Sequence, residues 1–231
     1  MKTIAIVFAG LLVTARLFAA EPQSSFTITA DIPYVSKYVF RGVQLARDSM
    51  QPSVTVSSGD FSAGLWTNQP IVDNADNEFR LFAGYNIALG NDWKVNVGGT
   101  IYYFPELDKR TNADRDTYEP KVSLIGAVGP INSAVTLYRD TTLNTTTGEM
   151  TLGYSIPLQG INGSFDVTGN FGRVLPQNGP NYNYYGATAK FTFRVKENVS
   201  YYAGAIGAKN NLRGLVKTNH LVAITGITLT L

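Results

Sequence analysis

Glu78-Phe79-Arg80-Leu81-Phe82-Ala83-Gly84-Tyr85-Asn86-Ile87-Ala88-Leu89 is the stretch that decides the fold. Successive side chains of an extended chain point to opposite faces, so Phe79, Leu81, Ala83, Tyr85, Ile87 and Leu89 share one face while Arg80, Gly84 and Asn86 share the other. Gly90-Asn91-Asp92 follows, a hairpin turn of residues that tolerate positive φ. The pattern then repeats, with Trp93, Val95, Val97, Ile101 and Tyr103 opposite Lys94, Asn96, Gly98, Thr100 and Tyr102. Strands of about 9–11 residues, apolar on one side only, are what a transmembrane barrel is made of.

The same alternation runs outward in both directions. Strands are expected to start near Phe26, Gln51, Phe61, Asn77, Trp93, Thr117, Ser133, Gly148, Ser164, Tyr184, Val199 and His220. The connections near Ser58-Gly59, Gly90-Asn91, Gly129-Pro130, Gln159 to Gly163 and Lys196 to Asn198 are tight. Those at Lys37 to Met50, Gln69 to Asp76, Pro105 to Asp116, Asp140 to Thr147, Val174 to Asn183 and Lys209 to Asn219 are longer and polar. The reading is an all-β, up-and-down antiparallel transmembrane barrel of about 12 strands, with tight turns at the periplasmic face and long loops outside the cell. A secreted sandwich or a lipocalin-like barrel also alternates. Against it stand aromatics near strand ends, placed for an interfacial girdle: Trp66, Trp93, Tyr103 to Phe104, Tyr118, Tyr138, Tyr184 to Tyr185 and Tyr201. The last strand also runs to the terminal Leu231, where a soluble domain more often ends in a polar tail.

Met1 to Ala20 reads as a cleaved secretory signal: Lys2, an apolar run from Ile4 to Val13, and small residues before Glu21. Residues 21–231 are then the barrel. Losing Lys2 and Arg16 leaves 17 basic against 17 acidic residues, and no basic stripe interleaved with aromatics is present, so nucleic acid is not an expected partner. With no cysteine, disulfides and thiolate metal sites are excluded. Beyond residue 20 no apolar run is long enough for a transmembrane helix, so any span must be built from strands.

Several segments resemble the TorF-family porins, outer-membrane proteins of bacteria. They are Ser36-Lys37-Tyr38-Val39-Phe40-Arg41-Gly42-Val43-Gln44, Gln51-Pro52-Ser53-Val54, Ala63-Gly64-Leu65-Trp66, Phe79 with Ala83-Gly84-Tyr85, Tyr102-Tyr103-Phe104-Pro105, and Thr117-Tyr118-Glu119. Tyr-Val-Phe-Arg-Gly is the most specific piece. The likeness is good over about residues 26–128 and elsewhere is one of barrel pattern. It departs at the end, since barrels usually finish in an aromatic residue and this chain finishes in Leu231. The resemblance implies location in the bacterial outer membrane, a porin or diffusion channel, and membrane lipid, the barrel-assembly machinery and small polar solutes as partners.

No catalytic, cofactor or metal site is expected. The single histidine, His220, has Lys217, Thr218, Asn219 and Leu221 beside it and no evident Ser or Asp partner. Carboxylates gather in two loops, Asp73, Asp76 and Glu78, and Asp108, Asp114 and Asp116 beside Lys109, Arg110 and Arg115, but neither has the spacing of a calcium loop.

The lumen carries the charge. By strand parity Asp31, Arg41, Glu78, Arg80, Lys94, Glu119, Lys121, Asp166, Lys190 and Arg194 point inward, because a charge facing lipid at the midplane costs on the order of 2–4 kcal/mol. Arg41, Arg80, Lys94, Glu119, Lys121, Asp166, Lys190 and Arg194 are the expected pore lining, with Arg41 at the constriction. Six of the ten inward charges are positive, which predicts a slight anion preference. The expected function is passive or weakly selective diffusion of small polar solutes; the alternative is a closed structural or adhesive barrel whose charges pair across the lumen.

Overall fold

The computed structural model describes residues 26–72, 75–107 and 116–231. Residues 1–20 lie outside that set, as do Asp73, Asp108, Lys109, Arg110, Asp114 and Arg115. The described chain forms thirteen strand segments: β1 (Phe26–Phe40), β2 (Val43–Met50), β3 (Ser53–Ser58), β4 (Phe61–Pro70), β5 (Glu78–Gly90), β6 (Trp93–Tyr103), β7 (Asp116–Val128), β8 (Ile131–Asp140), β9 (Thr145–Leu158), β10 (Gly163–Pro176), β11 (Tyr182–Lys196), β12 (Val199–Asn210) and β13 (Asn219–Thr230). From β3 to β13 each pairs antiparallel with the next, and β13 closes on β1 in the register Ile32↔Ile227. β2 and β3 share one wall position, so the closed barrel has 12 strands.

Closure leaves no free edge, so the backbone hydrogen bonds of the wall are met strand to strand, as a hydrocarbon surrounding requires. Outward positions are apolar and exposed, among them Leu81, Tyr85, Ile87, Val135, Leu137 and Leu221. A ring of exposed apolar side chains on this scale marks contact with a membrane rather than water. The tight turns lie at one end. At Gly90, Asn91 and Asp92 all three φ angles are positive, at 91°, 50° and 63°, which is why these residue types stand there.

At the other end the structure corrects three connections. The stretch 141–144 is shorter than the Asp140 to Thr147 loop read from sequence, because Thr145 and Thr146 pair with Pro176 and Leu175. The same pairing extends β10, so the next loop is 177–181 rather than Val174 to Asn183. Lys37 to Met50 is not a loop. It is a hairpin formed by the second half of β1 and all of β2, turning on Arg41 and Gly42, both at positive φ (49° and 77°), the pattern of a two-residue primed turn.

Only the first half of β1 belongs to the wall: its pairs with β13 stop at Val35, and its pairs with β3 cover Phe26 to Asp31. β2 meets the wall through its last residues, in the pairs Ser49↔Pro70 and Met50↔Gln69 and a hydrogen bond from Ile71 N to the Asp48 carbonyl at 2.7 Å. The ribbon therefore leaves the wall and bends into the lumen at the loop end, where Val35, Tyr38, Ala46 and Ser49 are all buried. A two-stranded ribbon alone is marginal in water, so this one needs partners inside the barrel.

Candidate functional site: a hairpin across the lumen

The tip of the ribbon reaches the far wall. Arg41 donates from Nη1 to Glu119 Oε2 at 2.8 Å and from Nη2 to Glu119 Oε1 at 2.9 Å, although Glu119 is on β7, about half-way round the ring from β1. This is a bidentate fork, the geometry in which a guanidinium and a carboxylate bind best. Tyr102 Oη donates to the same carboxylate at 2.7 Å. The guanidinium also lies 4.8 Å from the Phe40 ring centroid and 4.9 Å from that of Tyr138 on β8. A non-glycine residue at positive φ costs about 1–2 kcal/mol, and these contacts hold Arg41 there.

Arg80 on β5 makes a parallel arrangement. Its Nε donates to Glu78 Oε1 at 2.6 Å, and its Nη2 donates to Tyr38 Oη, which in turn donates to Glu78 Oε2 at 3.0 Å. Four rings surround the guanidinium: Trp66 at 4.3 Å, Phe40 at 4.5 Å, Tyr102 at 4.7 Å and Tyr38 at 5.9 Å. Phe40 thus touches both arginines and ties the ribbon to the wall. The Glu78 and Glu119 side chains are only 4% and 3% exposed, so both carboxylates depend on their arginines for solvation.

Gly42 rests against β11 and β12. Asn210, itself 1% exposed, donates from Nδ2 to the Gly42 carbonyl at 2.5 Å. A Cβ on Gly42 would come within 2.8 Å of Tyr184 Cβ, 3.0 Å of the Lys209 carbonyl oxygen and 3.1 Å of Asn210 Cβ, so only glycine seats the tip here. Cavities of about 350 Å³ lie on either side of the crossing, and Phe40, Arg41, Tyr102 and Glu119 line both. These four residues are the neck of the lumen.

Below the neck, toward the turns, the inward positions are mostly small and polar. Lys121 and Glu149 line the upper part of this half. Glu149 accepts hydrogen bonds from Tyr184 Oη at 2.7 Å, Asn170 Nδ2 at 3.1 Å and Tyr138 Oη at 3.4 Å. Deeper, Asp166 accepts from Ser155 Oγ at 2.6 Å, Thr192 Oγ1 at 2.9 Å and Ser164 Oγ at 3.0 Å, while Lys190 Nζ lies 4.6 Å from the Tyr202 ring centroid. Asp31 accepts from Thr228 and Tyr202. Lys94 is half-buried next to the first tight turn of β6, and Arg194 is exposed toward the end of β11.

The structure thus brings Arg41, Arg80, Glu78 and Glu119 together at the neck and leaves Lys94, Asp166, Lys190 and Arg194 spread along the turn half. Glu149 was missed in the sequence reading, although Met150, Leu152, Tyr154 and Ile156 on the opposite parity mark it as inward. Three aromatics assigned to the girdle are corrected. Trp66, Tyr138 and Tyr184 face the lumen, because Trp66 stands opposite Arg80, Tyr138 opposite Lys121, and Tyr184 opposite Gly172 on the inward side of their pairs. His220 is buried, with Nε2 3.0 Å from the Lys217 carbonyl oxygen. Among the described residues, no group of three or more acidic or histidine side chains is arranged to hold a metal ion.

This architecture is shared with solved porins. The structure of the NanC porin superposes with a TM-score of 0.59 at 13% identity, covering 87% of this chain and 100% of that one. That of the KdgM porin gives 0.58 at 9% identity, covering 87% and 98%, and a KdgM porin in complex with disordered oligogalacturonate gives 0.57 at 9%, covering 88% and 98%. At such identities the likeness is one of fold. No curated protein matches the chain by sequence. Residues 19–173, about two thirds of the chain, match the model of a family described as bacterial protein of unknown function (Gcw_chp), and the chain belongs to that family.

Proposed function

We propose that the protein is an outer-membrane, porin-like channel through which small polar solutes diffuse passively or with weak selectivity, and that the inward hairpin sets the width of the path. The observation that carries this reading is the pair of cavities, each of about 350 Å³, meeting at a neck of four residues inside a barrel whose outer face is apolar. A water-filled lumen lined by charge on both sides of a constriction is how porins pass ions and small solutes. Arg41, Arg80, Lys94, Glu119, Lys121, Asp166, Lys190 and Arg194 are its lining residues. The resemblance to TorF-family porins supports the same reading, and the oligogalacturonate complex of the KdgM porin makes short acidic oligosaccharides reasonable first solutes to try. Residues 1–20 direct export and are then removed, insertion is by the barrel-assembly machinery, and no catalytic role is assigned.

Refolded protein in planar bilayers tests the channel. Discrete conductance steps are expected. One observation favours the closed-barrel alternative, namely that the Arg41–Glu119 pair joins the inserted ribbon to the far wall and is nearly dry. A heat-modifiable barrel without steps would establish that alternative and end the channel reading. Orientation is tested separately on intact cells. A cysteine replacing Arg213, in the loop 211–218, is expected to react with an impermeant thiol reagent, and one replacing Asn91 is not; the reverse pattern overturns the topology. The chain's lack of native cysteine makes the assay clean.

A further inference from the structure

The charges of the upper lumen fall into two classes. Arg41 and Arg80 each face a carboxylate at ion-pair distance, so each presents a compact dipole rather than a net charge to a passing solute. Lys121 and Glu149 differ. Lys121 lines the cavity on the turn side of the neck with no ion pair, hydrogen bond or ring contact among the described residues. Glu149 lines the same cavity, and its three recorded donors, Tyr138, Asn170 and Tyr184, are all neutral. Besides the paired Arg41 and Arg80, Lys37 also lines this cavity, with its ammonium hydrogen-bonded to the Leu221 carbonyl at 2.9 Å.

Register fixes the spacing of the two uncompensated charges. Lys121 stands opposite Tyr138, and Glu149 opposite Thr136, one inward step further along β8. They are thus two strands and one two-residue step apart, about 12 Å between Cα atoms on an ideal sheet grid. They make no ion pair with each other. The Tyr138 side chain lies between them, with its hydroxyl already turned to Glu149. An ammonium and a carboxylate facing one small cavity from either side of an aromatic ring form a site of two signs.

We infer, building on the channel reading, that Lys121 and Glu149 form a transient binding site for small zwitterionic solutes. Lys121 takes the solute's carboxylate and Glu149 takes its ammonium, beside the Tyr138 ring that also carries the Arg41 guanidinium. Gln51 and Asn170 on the same cavity wall can accept or donate the remaining hydrogen bonds. A solute of one sign is attracted by one of the pair and repelled by the other, whereas a zwitterion satisfies both at once.

L-Alanine and 4-aminobutyrate are the probes, with acetate, ethylammonium and glycerol of similar size as one-sign and neutral controls. In single-channel recordings the zwitterions are expected to reduce the wild-type potassium chloride current at concentrations about tenfold below the controls. Lys121→Gln and Glu149→Gln are each expected to erase most of that difference, with unchanged gel mobility of the unheated barrel as the check on folding. Equal block by alanine and glycerol in wild type overturns the inference. So does a pattern in which Lys121→Gln weakens acetate and alanine alike while Glu149→Gln changes neither, since that describes an anion site. Calorimetric titration of the refolded barrel in detergent with the same probes reads the site without current. If no current is seen at all, the channel reading fails, and the titration still decides the site by whether zwitterions bind and either variant weakens them.

Discussion

The loop half and the turn half of the lumen share one wall and one strand parity, yet they use charge in opposite ways. At the loop end, Arg41, Arg80, Glu78 and Glu119 are nearly dry, paired within 3 Å and packed among Phe40, Tyr38, Trp66 and Tyr102. At the turn end, Asp166 and Asp31 accept from serine, threonine and tyrosine hydroxyls, and Lys190 rests on the Tyr202 ring opposite Gly204. Dry paired charge is structural, because separating the partners strands an ion in a poor solvent. Wet charge near a wall acts on what passes, and salt can screen it.

The largest expected effect comes from breaking the dry half. Arg41→Ala leaves Glu119 buried without its cation, and losing one member of such a pair costs about 3–5 kcal/mol. The backbone links from β2 to β4 and the residue after it, Ser49↔Pro70, Met50↔Gln69 and the hydrogen bond from Ile71 N to the Asp48 carbonyl, all lie at the end of β2 far from the tip, so this energy is enough to free the tip from the far wall. Single-channel conductance is expected to rise several-fold while the barrel keeps its heat-modifiable mobility, since no wall pairing is touched. Unchanged conductance would mean that the neck does not limit the path. Arg41→Glu sets a carboxylate against Glu119, so it tests the integrity of the neck rather than ion preference.

A smaller effect is expected from Gly42→Val. Its Cβ has no room against Tyr184 and Asn210, and its φ of 77° is strained for a branched residue. The tip should lift while the Arg41–Glu119 fork remains available. Conductance recordings should therefore show a noisier channel that switches between levels, with a mean current between wild type and Arg41→Ala. A Gly42→Val trace as quiet as that of wild type would show that the seat is not needed.

How much of this was legible in the sequence follows from the same contrast. Parity along Phe79 to Leu89 and its neighbours is a wall property, and it put Arg80, Lys94, Glu119, Lys121 and Asp166 on the inner side. It breaks down in the ribbon, because once a hairpin enters the lumen both of its faces are enclosed. Ala46 and Ser49 of β2, on opposite parities, are both buried for that reason. The turn signal was present as Arg41-Gly42 between apolar residues, but an arginine at positive φ is not a usual hairpin residue and needs a partner from the far wall. That partner, Glu119, is 78 residues away, a separation no local pattern reports. Trp66, Tyr138 and Tyr184 were read by their position near strand ends. Alternation with Ser62 and Gly64 would have turned Trp66 inward.

The smallest expected effect belongs to the wet half, and it is the one that salt should govern. Lys190 rests on the Tyr202 ring with Asp166 as its cross-strand neighbour. Its charge is partly offset and exposed to lumen water, so Lys190→Gln should leave folding and conductance almost unchanged. What changes is the local potential, and its reach is the Debye length, about 30 Å at 0.01 M salt, about 10 Å at 0.1 M and about 3 Å at 1 M. Reversal potentials across a salt gradient should therefore move slightly toward cation preference at low salt and coincide with wild type near 1 M. Arg41→Ala should behave differently, because its effect is on the width of the neck and salt does not restore width. If the two variants respond to salt in the same way, the division of the lumen into a structural half and a field-setting half is wrong.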